Sequence, residues 1–164
     1  LFFNLSFVLT LTSFLLIKYW LNNKKIILYK DPKNTYINKF VFFGVGSAVL
    51  LVIHSIFLGI KFEYELYKLF RRVVILFFIV FEIIAQTYLV ICLYKIRYSI
   101  SENINEIFLK LKIFLVSLLI IVALISIPII SVPGNKYLKH ALEWDYFVGV
   151  ISFYLLTFFM WKKN

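Results

Sequence analysis

Five polar or ionisable side chains lie inside or at the edge of long apolar runs, and these are the residues that could do chemistry. Glu82 and Gln86 interrupt the run VVILFFIVFEIIAQTYLVICLY at 73–94, His54 lies in an earlier run, and His140 and Glu143 open the last one. Such groups can bind a polar ligand, carry a proton or join two helices by hydrogen bonds. Because an unpaired charge in hydrocarbon is costly, ionisable residues at these places are a functional hypothesis by default.

Small and polar residues recur at helical spacing on the second and third apolar runs. The second run carries Gly44, Ser47, Ala48, Leu51, His54 and Ser55, and the third carries Glu82, Ala85, Gln86 and Leu89. Stripes of this kind let membrane helices approach closely. If the two runs are antiparallel neighbours, His54 and Glu82 lie within one helical turn of each other in depth. The spacing therefore predicts a His54–Glu82 hydrogen bond or ion pair, which serves either helix packing or a substrate or proton role.

The last apolar run begins with KHALEWDYF, where His140 and Glu143 stand three residues apart on one helical face. The topology below places them on the same outer side as His54 and Glu82. We therefore expect a polar ligand-binding pocket that includes His54, Gln86, Glu82, His140 and Glu143.

These side chains include types that can bind a metal ion, but their spacing matches no known metal-binding motif. We expect no cofactor and name no catalytic residue, and the absence of G-x-S-x-G argues against a serine nucleophile.

The composition identifies a membrane protein. Hydrophobic residues make up 63% of the 164 residues and charged residues only 16%, whereas soluble domains are about 45–50% apolar. The net charge of +10 comes from basic residues that lie between and beside the apolar runs, so nucleic-acid binding is not expected. Cys92 is the single cysteine, and an intrachain disulfide is therefore excluded.

Apolar run length predicts an all-α fold, a polytopic helical membrane bundle forming one transmembrane domain over 1–164. The five predicted spans are residues 1–17, 40–60, 73–94, 113–132 and 143–161. The chain begins with Leu and has an apolar run at once. We therefore expect a missing N-terminal helix, which would make six spans. Ser99 and Glu102 also fit a capping box, which predicts an amphipathic helix leading into the fourth span.

Basic residues in the connections predict the orientation. Twelve lysines and arginines fall on the side of the first and third linkers and the C-terminus, and six fall on the other side. Positive charges are retained on the cytoplasmic side, so the C-terminus is predicted to be cytoplasmic, in a plasma or inner membrane. Trp20, Trp144 and Trp161 each fall at a predicted membrane boundary, where tryptophan is enriched.

The last run, LEWDYFVGVISFYLLTFFMW, carries Glu143-Trp144 at its start and the pairs Phe153-Tyr154 and Thr157-Phe158 near its end. In these features it resembles the final helix of the DRAM/Frag/Sfk family of six-span membrane proteins. The resemblance covers about 20 residues. It implies six spans, two cytoplasmic termini and work connected with membrane lipids.

Three functions are compatible with these patterns. The first is an outward-facing intramembrane pocket that binds a lipid headgroup or a small polar ligand. The second is a non-catalytic accessory or assembly subunit, in which the polar stripes serve only helix packing. The third is a proton-coupled transporter that uses Glu82 as its proton carrier. The expected partners are membrane lipids and either another membrane protein or a second copy of the chain.

Overall fold

The computed structural model describes residues 2–59, 64–131 and 136–161, and in these ranges the chain is helical with no β-strand. The prediction of an all-α fold is therefore confirmed. A short 3-10 helix spans Arg97–Ile100. The α-helices are α1 (Phe2–Lys30), α2 (Tyr36–Gly59), α3 (Glu65–Ile96), α4 (Glu106–Ser131) and α5 (Lys136–Met160).

Three helices of the described part are long and apolar enough to cross a membrane. The qualifying segments are Tyr36–Phe57, Leu69–Ile100 and Glu106–Ser126, and a shorter apolar segment covers Trp144–Met160. The chain is therefore a membrane protein, as its composition predicts. The second, third and fourth predicted spans correspond to these three segments. The total of five spans remains a prediction.

Several helices extend well beyond the predicted spans. α1 runs to Lys30 instead of ending near residue 17, and α3 begins at Glu65 instead of residue 73. An apolar run marks the part of a helix that suits hydrocarbon, whereas Lys, Arg, Leu and Glu continue the same helix into a polar environment. α1 ends where Asp31 precedes Pro32, because the residue before proline is restricted to non-helical conformations.

The chain forms two compact units, residues 1–92 and residues 93–164. In the first unit, α1 packs against α2, and the Trp20 ring lies directly over Gly44. A Cβ at Gly44 would collide with the Trp20 ring. Trp20 is fully buried against the protein, and its place at a membrane boundary stays a prediction. Its ring fills the space that the missing side chain of Gly44 leaves open.

Aromatic contacts join α2 to α3 within the first unit. The rings of Phe43 and Phe81 lie 5.1 Å apart, and those of Tyr36 and Tyr88 lie 5.7 Å apart. Residues early in α2 therefore face residues late in α3, as in an antiparallel pair. This register determines which polar side chains of the two helices can meet.

In the second unit α4 packs against α5, and the connection before α4 is held to the end of α5. The backbone N–H of Asn105 donates to Met160 O at 2.8 Å, and Ile104 pairs with Trp161. The Asn105 side chain caps α4 by accepting a hydrogen bond from the N–H of Ile107 at 3.0 Å. The predicted amphipathic helix from Ser99 is therefore wrong, since α4 begins only at Glu106.

Candidate functional site

Glu82 lies at the centre of a buried polar cluster between α2 and α3, which we call the Glu82 cluster and define as Ser47, Glu82 and Gln86. All three side chains are 0% exposed. Ser47 Oγ lies 2.7 Å from Glu82 Oε2, and Gln86 Nε2 donates to Glu82 Oε1 at 3.0 Å. The predicted facing of the two polar stripes is therefore present at Ser47 and Glu82.

The number of protons available in this cluster bears on the protonation state of Glu82. Ser47 Oγ lies 2.8 Å from Gly44 O as well as 2.7 Å from Glu82 Oε2. A hydroxyl has a single proton and can donate only one of these hydrogen bonds. Both contacts are hydrogen bonds when Ser47 donates to Gly44 O and a protonated Glu82 donates to Ser47 Oγ. This assignment of the Ser47 proton predicts that Glu82 is a neutral carboxylic acid.

His54 lies elsewhere on α2 and does not form the predicted hydrogen bond with Glu82. It is seven residues beyond Ser47, about 10 Å along the helix axis. Its Nδ1 is buried and has no hydrogen-bond partner in the described part of the chain. Arg71 of α3 is close enough to act on His54 electrostatically. The structure therefore gives His54 a basic neighbour in place of the predicted carboxylate.

The start of α3 explains why the predicted pair is not formed. The predicted spans leave residues 61–72 as a connection, whereas α3 already begins at Glu65. The contacts here follow the longer helix: Phe57 and Phe70 have ring centroids 5.0 Å apart, and the Tyr67 hydroxyl donates to Phe57 O. Because helix occupies most of the expected linker, the level of His54 corresponds to the first turns of α3 and not to Glu82.

His140 and Glu143 lie in the helical range of α5, but their side chains are outside the described residues. They belong to the second unit, whereas His54, Glu82 and Gln86 belong to the first. A common pocket of all five residues therefore remains a prediction. Among the described residues, no group of three His, Cys, Asp or Glu side chains could hold a metal ion.

Lys112 is a buried polar residue that is absent from the predicted site. It is one of the twelve basic residues that the sequence assigns to the cytoplasmic side, yet its side chain is 0% exposed between α4 and α5. Its Nζ donates to the Thr157 hydroxyl and lies 3.9 Å from the centroid of the Phe153 ring. Thr157 in turn donates to Phe153 O at 3.0 Å. No carboxylate of the described chain forms an ion pair with Lys112.

A signal for Lys112 was present in the sequence. Leu109, Val116 and Leu119 are buried, and Lys112 completes their spacing of three, four and three on one face of α4. A lysine at such a position faces a helix neighbour. If Lys112 is left out of the count, the predicted cytoplasmic side still carries more basic residues than the other side.

The two units thus offer different chemistry. The Glu82 cluster can hold one proton and fix two helices against each other, and the His54–Arg71 pair can donate hydrogen bonds to an anion. Comparison with protein-family models, curated proteins and solved structures gives no match for this chain.

Proposed function

We propose that this membrane protein binds a lipid headgroup or another small polar ligand beside His54 and Arg71. The observation that carries the proposal is a pair of buried polar atoms, His54 Nδ1 and Arg71 Nε, that have no hydrogen-bond partner in the described part of the chain. A buried donor without an acceptor costs free energy. An anionic group placed between the two helices would accept hydrogen bonds from both side chains.

The positive charge of Arg71 beside His54 determines which class of ligand can bind. Arg71 carries a positive charge that acts on His54, so a cation would be repelled there. A phosphate or carboxylate would instead form charge-assisted hydrogen bonds with the guanidinium. The proposed ligand is therefore an anionic headgroup or a small anion, a narrower class than the sequence indicated.

We place this site on the outer side of a plasma or inner membrane, with the C-terminus in the cytoplasm. The support for that orientation is the excess of lysine and arginine in the predicted inner connections. Work connected with membrane lipids is also what the resemblance of residues 142–161 to the DRAM/Frag/Sfk family implies.

A comparison of Arg71→Gln with Arg72→Gln tests the proposal. The two substitutions remove the same charge from adjacent residues of α3, but Arg72 is exposed whereas Arg71 has a buried Nε. The measurement is the amount of anionic phospholipid retained by detergent-purified protein, determined by native mass spectrometry. We expect Arg71→Gln to lose retained lipid and Arg72→Gln to resemble the wild type. Equal retention by both variants and the wild type would refute the site.

The second candidate is a non-catalytic accessory or assembly subunit. The complete burial of Ser47, Glu82 and Gln86 favours it, because side chains without exposed surface serve packing more readily than binding. Under this alternative, Arg71→Gln leaves lipid retention unchanged. Substitutions in the Glu82 cluster then lower thermal stability or assembly with the partner.

A further inference from the structure

A concavity lined in part by charged side chains lies in the second unit, where the apolar run of α3 ends. It has a volume of about 280 Å³ and is lined by Tyr94, Arg97 and Tyr98 on one side and by Glu106 and Lys110 on the other. We call it the Arg97 concavity. It contains two cations and one carboxylate, a combination that neither the proposed His54 site nor the Glu82 cluster uses.

Arg97 is held in place by the two tyrosines. Its guanidinium carbon lies 3.8 Å from the centroid of the Tyr94 ring and 4.3 Å from that of Tyr98. Nη1 donates to Tyr94 O at 3.0 Å, and Nη2 donates to the Tyr98 hydroxyl at 2.8 Å. A guanidinium has five N–H donors, so these contacts orient Arg97 and still leave donors for a ligand. Because Arg97 is already ordered, binding a ligand costs little further side-chain entropy.

Glu106 and Lys110 supply the complementary charges on the first turns of α4. Both side chains are exposed, and both line the concavity. Their backbone positions are set by the Asn105 cap and by the hydrogen bond from Asn105 N–H to Met160 O. The carboxylate and the lysine therefore project from a supported helix start.

We propose that the Arg97 concavity binds a phospholipid headgroup that carries both a phosphate and a primary ammonium group, as in phosphatidylethanolamine. Arg97 and Lys110 would donate to the phosphate, and Glu106 would accept hydrogen bonds from the ammonium. Leu109 and Ile113 form an apolar part of the lining, against which the first carbons of the lipid pack.

The carboxylate decides between headgroups. A purely anionic headgroup such as that of phosphatidylglycerol is attracted by Arg97 and Lys110 but repelled by Glu106. A phosphatidylcholine headgroup offers a quaternary ammonium, which has no N–H to donate to the carboxylate. Of the ethanolamine, glycerol and choline headgroups, only ethanolamine carries a cation that is attracted to Glu106 and can donate hydrogen bonds to it.

Glu106→Gln is the decisive variant, and Glu102→Gln is its control. Both remove one negative charge from an exposed residue near the start of α4, but only Glu106 lines the concavity. Delipidated protein is mixed with equal amounts of phosphatidylethanolamine, phosphatidylcholine and phosphatidylglycerol, and the bound lipid is measured by native mass spectrometry. We expect the wild type to prefer the ethanolamine lipid, and the preference over choline to fall about fivefold in Glu106→Gln alone.

Three results of this lipid comparison would overturn the proposal, and a competition experiment adds a fourth. They are a wild type without a preference for the ethanolamine lipid, an equal change in both glutamine variants, and unaltered lipid binding in Arg97→Gln. Soluble phosphoethanolamine is added as a competitor, and competition at equal concentration would overturn the assignment to a lipid. Unfolding temperatures measured on the same samples verify that each variant is folded.

Discussion

At the residue scale, the sequence predicted that Glu82 and Gln86 face the second helix but not which residue they meet. Spacing identified the polar stripe that contains both Ser47 and His54. The choice between them depends on where α3 starts, and a hydropathy pattern does not locate that residue. Burial of Lys112 could have been predicted from its spacing with Leu109 and Val116.

The proton count of the Glu82 cluster gives a spectroscopic prediction. Infrared spectra at neutral pH should contain the band of a protonated carboxylic acid that disappears in Glu82→Gln. Ser47→Ala should shift this band, because Ser47 Oγ lies 2.7 Å from Glu82 Oε2. His54→Ala should leave it unchanged. An ionised carboxylate in the wild type, or a band that responds to His54, would contradict the arrangement.

Lys112 gives a second prediction at this scale. Its amine is buried without a described carboxylate partner, and replacing a buried charged group by an apolar one of similar size is often neutral or stabilising. Thermal unfolding in detergent should show Lys112→Met to be as stable as the wild type or more stable. Lys112→Ala should be less stable by about 2 kcal/mol, because it leaves a cavity. Equal destabilisation by both variants would mean that the amine itself is required.

At the scale of elements, the number and order of the helices followed from the apolar runs, but their ends did not. Lys18 to Lys30 and Glu65 to Arg72 are helical although their charges made them look like connections. The contact between α1 and α2 was not predicted either. The stripe on α2 indicated a close helix approach, but no pattern indicated that Trp20 would fill it.

Gly44→Ala tests this contact between α1 and α2. A methyl group at Gly44 would collide with the Trp20 ring, and overpacking of this kind costs about 1–3 kcal/mol. Thermal unfolding should show that loss, whereas Val49→Ala on the exposed side of α2 should have little effect. In a Trp20→Phe background the cost of Gly44→Ala should be smaller. An equal cost in both backgrounds would exclude Trp20 as the obstacle.

At the scale of the whole molecule, the composition was sufficient to identify a membrane protein, and three described helices have the length and apolarity to cross a membrane. Composition could not separate residues that hold helices together from residues that bind a ligand. The structure places Glu82 in a buried cluster with Ser47 and Gln86, and it leaves His54 Nδ1 unpartnered within the described chain. We therefore propose that Glu82 serves helix packing and that His54 binds the ligand.

The most direct test of these two roles compares His54→Ala with Glu82→Gln. For each variant, the amount of lipid retained per protein is measured together with the unfolding temperature. We expect His54→Ala to lose retained anionic lipid while its unfolding temperature stays near that of the wild type. We expect Glu82→Gln to keep the lipid. Loss of lipid in Glu82→Gln with full retention in His54→Ala would contradict the proposal and return the binding role to Glu82.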